Sequence, residues 1–246
     1  MSRIICVHQP AFLPWLGLIE SMFVSDIFVH LDDVQFEDGG FQNRNRIKTA
    51  QGVVWLSMPV QKQSFTNLAE IQVSSAHQPK KMMRAIKVSY EPTPHFDTVM
   101  RWLEPHLTLD QGTGLMEANI LFLESLAQQL GAPCQFKRAS RLRSPGSGRL
   151  ANIAALMRAC NARYLCTGFG MQAYTTETEM KAHGISPIWH GFEKRDFTYP
   201  QLFPKLGFIA NLSVIDMLFN CGFDATATRL SASARAIVDA AHAQRA

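Results

Sequence analysis

The chain has 246 residues, of which 47% are hydrophobic and 18% are charged, and its formal net charge is +4. This length fits one large domain or one domain with an insertion, and the apolar fraction excludes an intrinsically disordered protein. The mild positive charge permits attraction to phosphorylated small molecules but is not typical of a dedicated nucleic-acid binder, so we predict no nucleic-acid partner.

The apolar run at the N-terminus is too short for a signal peptide, and no stretch approaches the roughly 20 apolar residues of a membrane span. The five cysteines are scattered and form no Cys-x-x-Cys pair, which argues against a disulfide framework and a zinc site. We therefore predict a cytoplasmic protein with no membrane span and no metal site. The oligomeric state is open.

The first part of the chain has the pattern of one βαβ unit. A buried strand, an amphipathic helix and a second strand are predicted at residues 4–7, 15–24 and 27–31. His8-Gln9-Pro10 follows the first strand, and Asp32-Asp33 follows the second. Because open α/β sheets bind ligands at the carboxyl ends of their strands, these polar residues predict a ligand site at that rim.

Helices and strands continue to alternate along the rest of the chain. Further strands are predicted at 53–60, 71–73, 134–137, 163–166 and 185–190, and further helices at 80–89, 96–107, 114–130, 150–160 and 176–183. We predict a helical insertion at approximately 78–130, a basic loop at 138–149 and a tail at 231–246. The pattern predicts a single α/β domain over 1–246, with a mainly parallel sheet flanked by helices, Rossmann-like or nucleotidyltransferase-like in architecture.

Three cations and two amides are crowded into one short segment. If this segment is extended, Arg44, Arg46 and Lys48 lie on one face and Asn43 and Asn45 on the other. Such a cationic face can clamp a diphosphate or a carboxylate, since arginine offers two parallel hydrogen bonds. An edge strand that its cations keep soluble is the structural alternative. We predict that all five residues bind substrate.

Titratable side chains follow both early strands. Asp32 and Asp33 point to opposite faces if the strand continues, so at most one acts chemically, and which one is open. A helix cap or turn is their structural alternative. His8 could act as an acid, a base or a phosphate donor, or simply cap a turn. We predict catalytic roles for these three residues and substrate-binding roles for Gln9 and Gln35.

Glycine-bearing segments in the second half of the chain could approach a ligand. Arg149 follows a Gly-Ser-Gly sequence at a helix start, where anions bind well, although a linker is the structural alternative. Gly168 follows a strand and could let substrate approach the backbone, with Tyr174 nearby. Asp216 lies within an apolar helix and needs a partner if it is buried, for which Arg44 or Arg149 is available.

Taken together, these residues resemble the WbqC-like family of bacterial proteins, which are often encoded among genes for O-antigen and other surface polysaccharides. The shared motifs are His8-Gln9-Pro10 with Pro14 and Gly17, Asp32-Asp33-Val34-Gln35-Phe36, Asn43-Arg44-Asn45 with Ile47-Lys48, Arg149-Leu150, Thr167-Gly168 and Gly170 ahead of Tyr174, and the segment 208–216. The resemblance spans most of the chain in the family's order. It implies transfer of an acyl or aminoacyl group to an amino sugar.

Two departures qualify these likenesses. Thr167-Gly168-Phe169-Gly170 stands where many relatives look like a tighter Gly-Gly turn. A weaker likeness links the first strand and its turn to nucleotidyltransferase-type domains such as pantothenate synthetase. That superfamily has a paired His-x-Gly-His motif, and this chain has Trp15-Leu16-Gly17 where the second histidine would fall. The second likeness therefore concerns architecture alone.

Three functions are open at this point. The first is a transferase that acylates a nucleotide-linked amino sugar, with the three cations on the diphosphate and Asp32 or Asp33, assisted by His8, as the base. The second is an ATP-dependent ligase or nucleotidyltransferase, for which ATP and Mg²⁺ are the expected cofactors. The third is a non-catalytic binding protein for a glycan intermediate. The cofactor is otherwise unknown, and the expected partner is a small-molecule substrate, a nucleotide-linked sugar in the first case.

Overall fold

A computed structural model describes residues 3–61, 66–74, 77–142 and 148–243, so that part of the predicted basic loop, at 143–147, and the end of the tail lie outside the described residues. The strands are β1 (Arg3–His8), β2 (Ile27–His30), β3 (Arg44–Thr49), β4 (Gly52–Ser57), β5 (Val60–Gln61), β6 (Gln72–Val73), β7 (Gln135–Arg138), β8 (Ala162–Thr167) and β9 (Ser186–Trp189). The helices are α1 (Leu16–Val24), α2 (His77–Tyr90), α3 (Phe96–Leu107), α4 (Leu115–Leu130), α5 (Arg149–Ala159), α6 (Glu177–Ala182) and α7 (Val214–Ala243). Within these ranges, no helix combines the length and the apolar character needed to cross a membrane.

Five parallel strands form the central sheet in the order β7-β2-β1-β8-β9. β1 pairs with β2 on one side, where His8 lies opposite His30, and with β8 on the other side, where Cys6 lies opposite Cys166. The predicted α/β fold with a mainly parallel sheet is confirmed. Because β2 and β8 lie on opposite sides of β1, the carboxyl end of β1 is a topological switch point, where sheets of this kind leave a crevice.

Helices cover both faces of the sheet because its strands are apolar on both sides. Ile4 and Cys6 of β1 belong to one buried cluster with residues of α1 and α7, whereas Ile5 belongs to a second cluster with residues of α5 and α6. This division follows from the two-residue period of a strand. The sequence predicts an amphipathic α1, but nearly the whole helix is buried, because α7 packs closely against it.

The helices α2, α3 and α4 occupy the region where the sequence predicts a helical insertion. Both α3 and α4 pack against α7, and Trp102 of α3 meets Phe223 of α7 edge-on at 5.4 Å between ring centroids. Helix α4 ends at Gly131, whose φ of 67° is left-handed. Glycine adopts that conformation without steric strain, and the predicted C-cap at this residue is confirmed.

A second, two-stranded sheet is formed by β3 and β4, which run antiparallel with Arg46 opposite Trp55. The sequence predicts one strand over 53–60, but the structure divides it. β4 ends at Ser57, and β5 begins at Val60 in a third small sheet with β6. Pro59 has no backbone N–H to donate to a strand ladder, which accounts for the break.

A buried carboxylate connects α7 to α2 and to the segment that precedes α7. Asp216 accepts hydrogen bonds from the hydroxyls of Tyr90 (2.7 Å) and Tyr199 (2.9 Å) and from the side-chain amide of Gln201 (2.8 Å). Burial raises the pKa of Asp216, although these three hydrogen bonds act to lower it. The prediction that Arg44 or Arg149 pairs with Asp216 is wrong. Neutral donors hold this carboxylate, which stabilises the core.

Candidate functional site

A cavity of about 820 Å³ opens at the carboxyl ends of β1 and β2, at the switch point of the sheet. Its polar lining comes from four parts of the chain: the end of β1, the loop after β2, the start of α5 and the segment after β8. The polar residues concerned are His8, Gln9, Asp33, Glu37, Gln42, Arg149, Asn152 and Tyr174. This volume lies in the range of small-molecule sites, and the position is where open α/β sheets bind ligands.

A second, smaller cavity of about 370 Å³ lies beside β7 and is lined by Glu124, Phe136, Lys137, Arg138, Arg141 and Leu142. None of the predicted site residues lines it. We therefore take the larger cavity as the candidate site.

His8 is held in one tautomer at the edge of the larger cavity. Its Nδ1 lies 2.8 Å from the backbone oxygen of Gln9. A carbonyl oxygen only accepts hydrogen bonds, so Nδ1 carries the proton and Nε2 carries the lone pair. Burial lowers the pKa of His8, while the bond to Gln9 acts to raise it. The imidazole is therefore neutral near pH 7 and can accept a proton at Nε2.

The amide of Gln9 is fixed by a buried neighbour, Gln42. The Nε2 of Gln42 donates to Oε1 of Gln9 at 2.8 Å, and Oε1 of Gln42 accepts from the backbone N–H of Glu37 at 2.7 Å. Gln42 is 2% exposed, and its backbone oxygen accepts from Asn119 at 2.7 Å. With its Oε1 occupied, Gln9 presents its N–H₂ group, which lies 3.5 Å from a carboxylate oxygen of Glu37.

The two neighbouring aspartates have different environments. Both carboxylate oxygens of Asp32 are occupied by Ser140, one by its backbone N–H at 2.8 Å and the other by its hydroxyl at 2.6 Å. Asp32 is buried and stays out of the cavity lining, so it fixes the turn after β7. Asp33 is exposed and lines the cavity. Of the two, only Asp33 is therefore placed to meet a ligand in the cavity.

Arg149 and Tyr174 close the far side of the cavity. Arg149 is the first residue of α5, and its guanidinium carbon lies 4.1 Å from the ring centroid of Tyr174. Both side chains are exposed, and Tyr174 is 70% exposed. A cation at the start of a helix, beside unpaired backbone N–H groups, favours an anionic ligand group.

The lack of a side chain at Gly168 makes room for a buried histidine and not for a ligand. A Cβ atom at this position would lie 3.1 Å from Nε2 of His190, which is buried. Burial lowers the pKa of His190 to about 4, so the ring is neutral. Gly168 itself does not line the cavity, although Met171 and Tyr174, which follow it, do.

The cationic segment does not enter the cavity, and its three cations do not share one environment. Arg44 and Arg46 lie on the outer face of β3, whereas Lys48 is 1% exposed. The Nζ of Lys48 donates to the backbone oxygen of Gly207 at 2.7 Å and to Oε1 of Gln201 at 3.3 Å. The prediction of one cationic face is therefore wrong for Lys48, because its long side chain reaches buried oxygens beyond the strand.

The predicted amides have backbone partners. Asn43 donates to the oxygen of Met58 at 3.0 Å, and Asn45, 1% exposed, donates to the oxygen of Leu13 at 2.8 Å. Asn45 thereby fixes the loop between β1 and α1, which contributes Gln9 and Ala11 to the cavity lining. Gln35 is exposed, and its backbone forms a β-bridge with that of Asn67, outside the cavity lining. We therefore assign supporting roles to the amides of Asn43 and Asn45.

Several lining residues were missed by the sequence analysis, namely Glu37, Phe41, Gln42, Asn152 and Met171. Gln42 is the first residue of the polar segment at 42–48 and Phe41 directly precedes it, so their position in the sequence was a usable signal. Asn152 lies three residues after Arg149 and hence on the same side of α5. Across the described ranges, no three histidine, cysteine or carboxylate side chains are grouped as metal ligands.

Comparison with known proteins gives two matches. The profile of a family described as the WbqC-like protein family matches residues 9–228. The chain is also similar to the uncharacterized protein Rv1507c of Mycobacterium tuberculosis, with 29% identity over 226 residues, which is 90% of this chain and 95% of the relative. No solved structure matches the chain. The family match contains the whole polar lining of the cavity except His8, which directly precedes it.

Proposed function

The chain belongs to the WbqC-like protein family, and from that premise we propose that it transfers an acyl or aminoacyl group to the amine of a nucleotide-linked amino sugar in surface-glycan assembly. The observation that carries the proposal is the neutral imidazole of His8, which faces a cavity that also holds a carboxylate and an arginine. Acylation of an amine needs a base for the amine proton and donors for the carbonyl oxygen.

In the proposed reaction the amine nitrogen attacks the carbonyl carbon of the acyl donor. Nε2 of His8 takes the proton that the nitrogen loses, the new C–N bond forms, and the bond to the leaving group breaks. The proton then passes from His8 to the leaving group, so that the imidazole returns to its neutral state. The N–H₂ group of Gln9, which lines the cavity, can donate to the carbonyl oxygen, and Asp33 can accept hydrogen bonds from hydroxyl groups of the sugar.

Arg149 has the chemistry for an anionic part of one substrate. Its guanidinium stacks on Tyr174 and lies at a helix start, so two effects favour a phosphate or carboxylate there. Because the reaction joins two substrates, the cavity must admit both an acceptor and a donor. Its volume of about 820 Å³ is consistent with the reactive ends of two small molecules.

The test is turnover of UDP- or dTDP-linked amino sugars with a panel of acyl and aminoacyl donors, followed by mass spectrometry of the amide product. We expect His8→Asn to lower the rate by about 10²- to 10⁴-fold, the usual contribution of a positioned base. His183→Asn, which changes an exposed histidine, is the matched control. Equal rates for the wild type and His8→Asn would contradict the proposed role of His8.

The same site favours one rival activity. The sheet order is also that of nucleotide-binding α/β domains, and Arg149 in the cavity would then stabilise a transferring phosphoryl group. An ATP-dependent ligase or nucleotidyltransferase would release pyrophosphate from ATP in the presence of Mg²⁺ and an acyl substrate. If the protein releases pyrophosphate from ATP and His8→Asn abolishes this release, the activity is that of a ligase or nucleotidyltransferase and the transferase proposal is wrong. If the protein binds a ligand but catalyses neither reaction, it is a non-catalytic binding protein.

A further inference from the structure

The outer face of the β3–β4 hairpin carries large aromatic and cationic side chains instead of the small polar ones usual on a solvent face. Strand alternation places Arg44 and Arg46 of β3 on the same face as Trp55 of β4. Trp55 is 46% exposed, and Phe41, just before the hairpin, is 51% exposed. The two rings lie 5.9 Å apart between centroids. Exposed aromatic groups in contact with each other often mark a binding surface.

Both arginines are held in place before any ligand arrives. Their guanidinium carbons lie 4.4 Å (Arg44) and 5.7 Å (Arg46) from the ring centroid of Trp55. Each also donates one Nη2 hydrogen bond to a backbone oxygen, Arg44 to Gly39 and Arg46 to Asn211. Stacking together with a backbone anchor fixes the plane of a guanidinium and leaves its other N–H groups free to bind an anion.

The two arginines have no ion-pair partner among the residues that the structure describes. Neither guanidinium forms an ion pair with a carboxylate of the described residues. Two like charges against one indole repel each other, and an anion bound to the outer Nη groups would relieve that repulsion.

This surface is continuous with the cavity. Phe41 contacts Trp55 and also lines the cavity, and the backbone oxygen that anchors Arg44 belongs to Gly39, in the same loop. The loop also contributes Glu37 and Gln42 to the cavity wall. A ligand whose reactive end lies in the cavity can therefore continue over Phe41 to the arginines without leaving the protein surface.

We propose that Arg44, Arg46, Trp55 and Phe41 bind the nucleotide part of a substrate, with its phosphates on the two guanidiniums and its base against the exposed aromatic rings. The proposal rests on the proposed function, since it extends the ligand whose reactive end lies beside His8. Aromatic rings that accept a base, next to arginines that accept phosphate, are the combination that a nucleotide requires. The nucleotide can belong to the sugar acceptor or to a nucleotide-containing thioester donor.

The test is calorimetric binding of UDP, of coenzyme A and of uridine at low salt. We expect Arg44→Gln and Arg46→Gln each to weaken binding of UDP or of coenzyme A by about tenfold or more, and to abolish the preference for UDP over uridine if UDP is the ligand. Whichever compound shows this loss identifies the source of the nucleotide. Arg101→Gln, which changes an exposed arginine on α3, is the matched control and leaves binding unchanged.

The aromatic contribution is tested at Trp55. We expect Trp55→Ala to weaken nucleotide binding by about tenfold, within the range measured for base stacking, and Trp55→Phe to restore most of it. Thermal melting of each variant shows whether it is folded, and the Arg44→Gln and Arg46→Gln variants carry the test if Trp55→Ala does not fold.

Two results would overturn the proposal. One is that neither UDP nor coenzyme A binds the wild type. The other is that both bind the arginine and tryptophan variants within twofold of the wild type. If His8→Asn abolishes turnover while the Arg44 and Arg46 variants bind nucleotide normally, the nucleotide is bound elsewhere and the transferase proposal stands.

Discussion

The buried amide of Gln42 donates a hydrogen bond of 2.8 Å to the side chain of Gln9, so the orientation of a cavity residue depends on a residue behind it. Gln42→Leu removes this donor and also the acceptor for the backbone N–H of Glu37. An unsatisfied buried donor costs about 1–3 kcal/mol, and we expect a loss of that size in the free energy of unfolding, measured with urea. Ligand binding should weaken as well, because Gln9 becomes free to rotate.

Gln129→Leu is the control for that prediction, since it makes the same change at an exposed position of α4. We expect this variant to unfold within about 0.5 kcal/mol of the wild type. Equal stability of the Gln42 and Gln129 variants would show that the buried amide does not hold the site together.

The aspartate pair gives a second prediction, because the two carboxylates have different partners. Asp32→Ala leaves the backbone N–H of Ser140 without an acceptor, and we expect a loss of about 1–3 kcal/mol in stability. Asp33→Ala changes an exposed side chain, and we expect its stability to stay within about 0.5 kcal/mol of the wild type while turnover falls. Urea unfolding and the acylation assay on both variants measure the contrast. Full activity of the Asp33→Ala variant would show that Asp33 has no role in the reaction.

The third prediction concerns the buried carboxylate of α7. In Asp216→Asn, the new N–H₂ group cannot accept the hydrogen bonds that Tyr199 and Gln201 donate to Oδ2. We expect a loss of about 2–4 kcal/mol in the free energy of unfolding, because buried donors are left without acceptors. Asp224→Asn, at an exposed position beyond the break in α7 at Gly222, is the control and should unfold like the wild type.

Stability should also fall in mild acid because of His30, which is fully buried and stacked on Phe136. Burial, and then the charge of Arg138, lower its pKa from 6.5 to about 4, although nearby Asp32 acts to raise it. Well above pH 6.5 neither the folded nor the unfolded chain holds the proton, so the full stability is present. As the pH falls from 6.5 towards 4, the unfolded chain takes up a proton that the folded chain does not. We expect the titration of His30 to lower the free energy of unfolding by about 2 kcal/mol between roughly pH 7.5 and 5.

His30→Phe tests this origin, because phenylalanine keeps the aromatic packing and removes the titration. We expect the variant to lose the contribution of about 2 kcal/mol that His30 makes to the pH dependence of urea unfolding. The rest should persist, since burial also lowers the pKa of His190 to about 4 and lowers the pKa values of His8 and His106. His183→Phe, at an exposed position, is the control. An unchanged pH profile in His30→Phe would assign the acid sensitivity to other groups.

The parallel sheet was predictable because its signals are local. β1 and β2 are continuous apolar runs that end at polar residues, and Gly131 marks the end of α4. Each of these patterns is complete within a few residues. The cavity at the ends of β1 and β2 followed from the same signals, because the carboxyl ends of parallel strands meet at one edge.

The roles of the polar residues were less predictable because their partners are remote in sequence. Lys48 meets Gly207 across 159 positions, and Asp32 meets Ser140 across 108. Strand period alone placed Lys48 with Arg44 and Arg46, but it cannot show that buried oxygens from a distant segment lie within reach. Local sequence therefore identified which polar residues have a role. Only the tertiary contacts showed which of them support the fold and which line the cavity.

The central place of β1 in the sheet also bears on how the protein is made. One neighbour, β2, is complete at His30, but the other, β8, ends at Thr167. During synthesis one edge of β1 thus stays open until most of the chain has left the ribosome, and an open strand edge is a template for pairing with other chains. We expect chains truncated before β8 to aggregate and full-length yield to depend on chaperone supply.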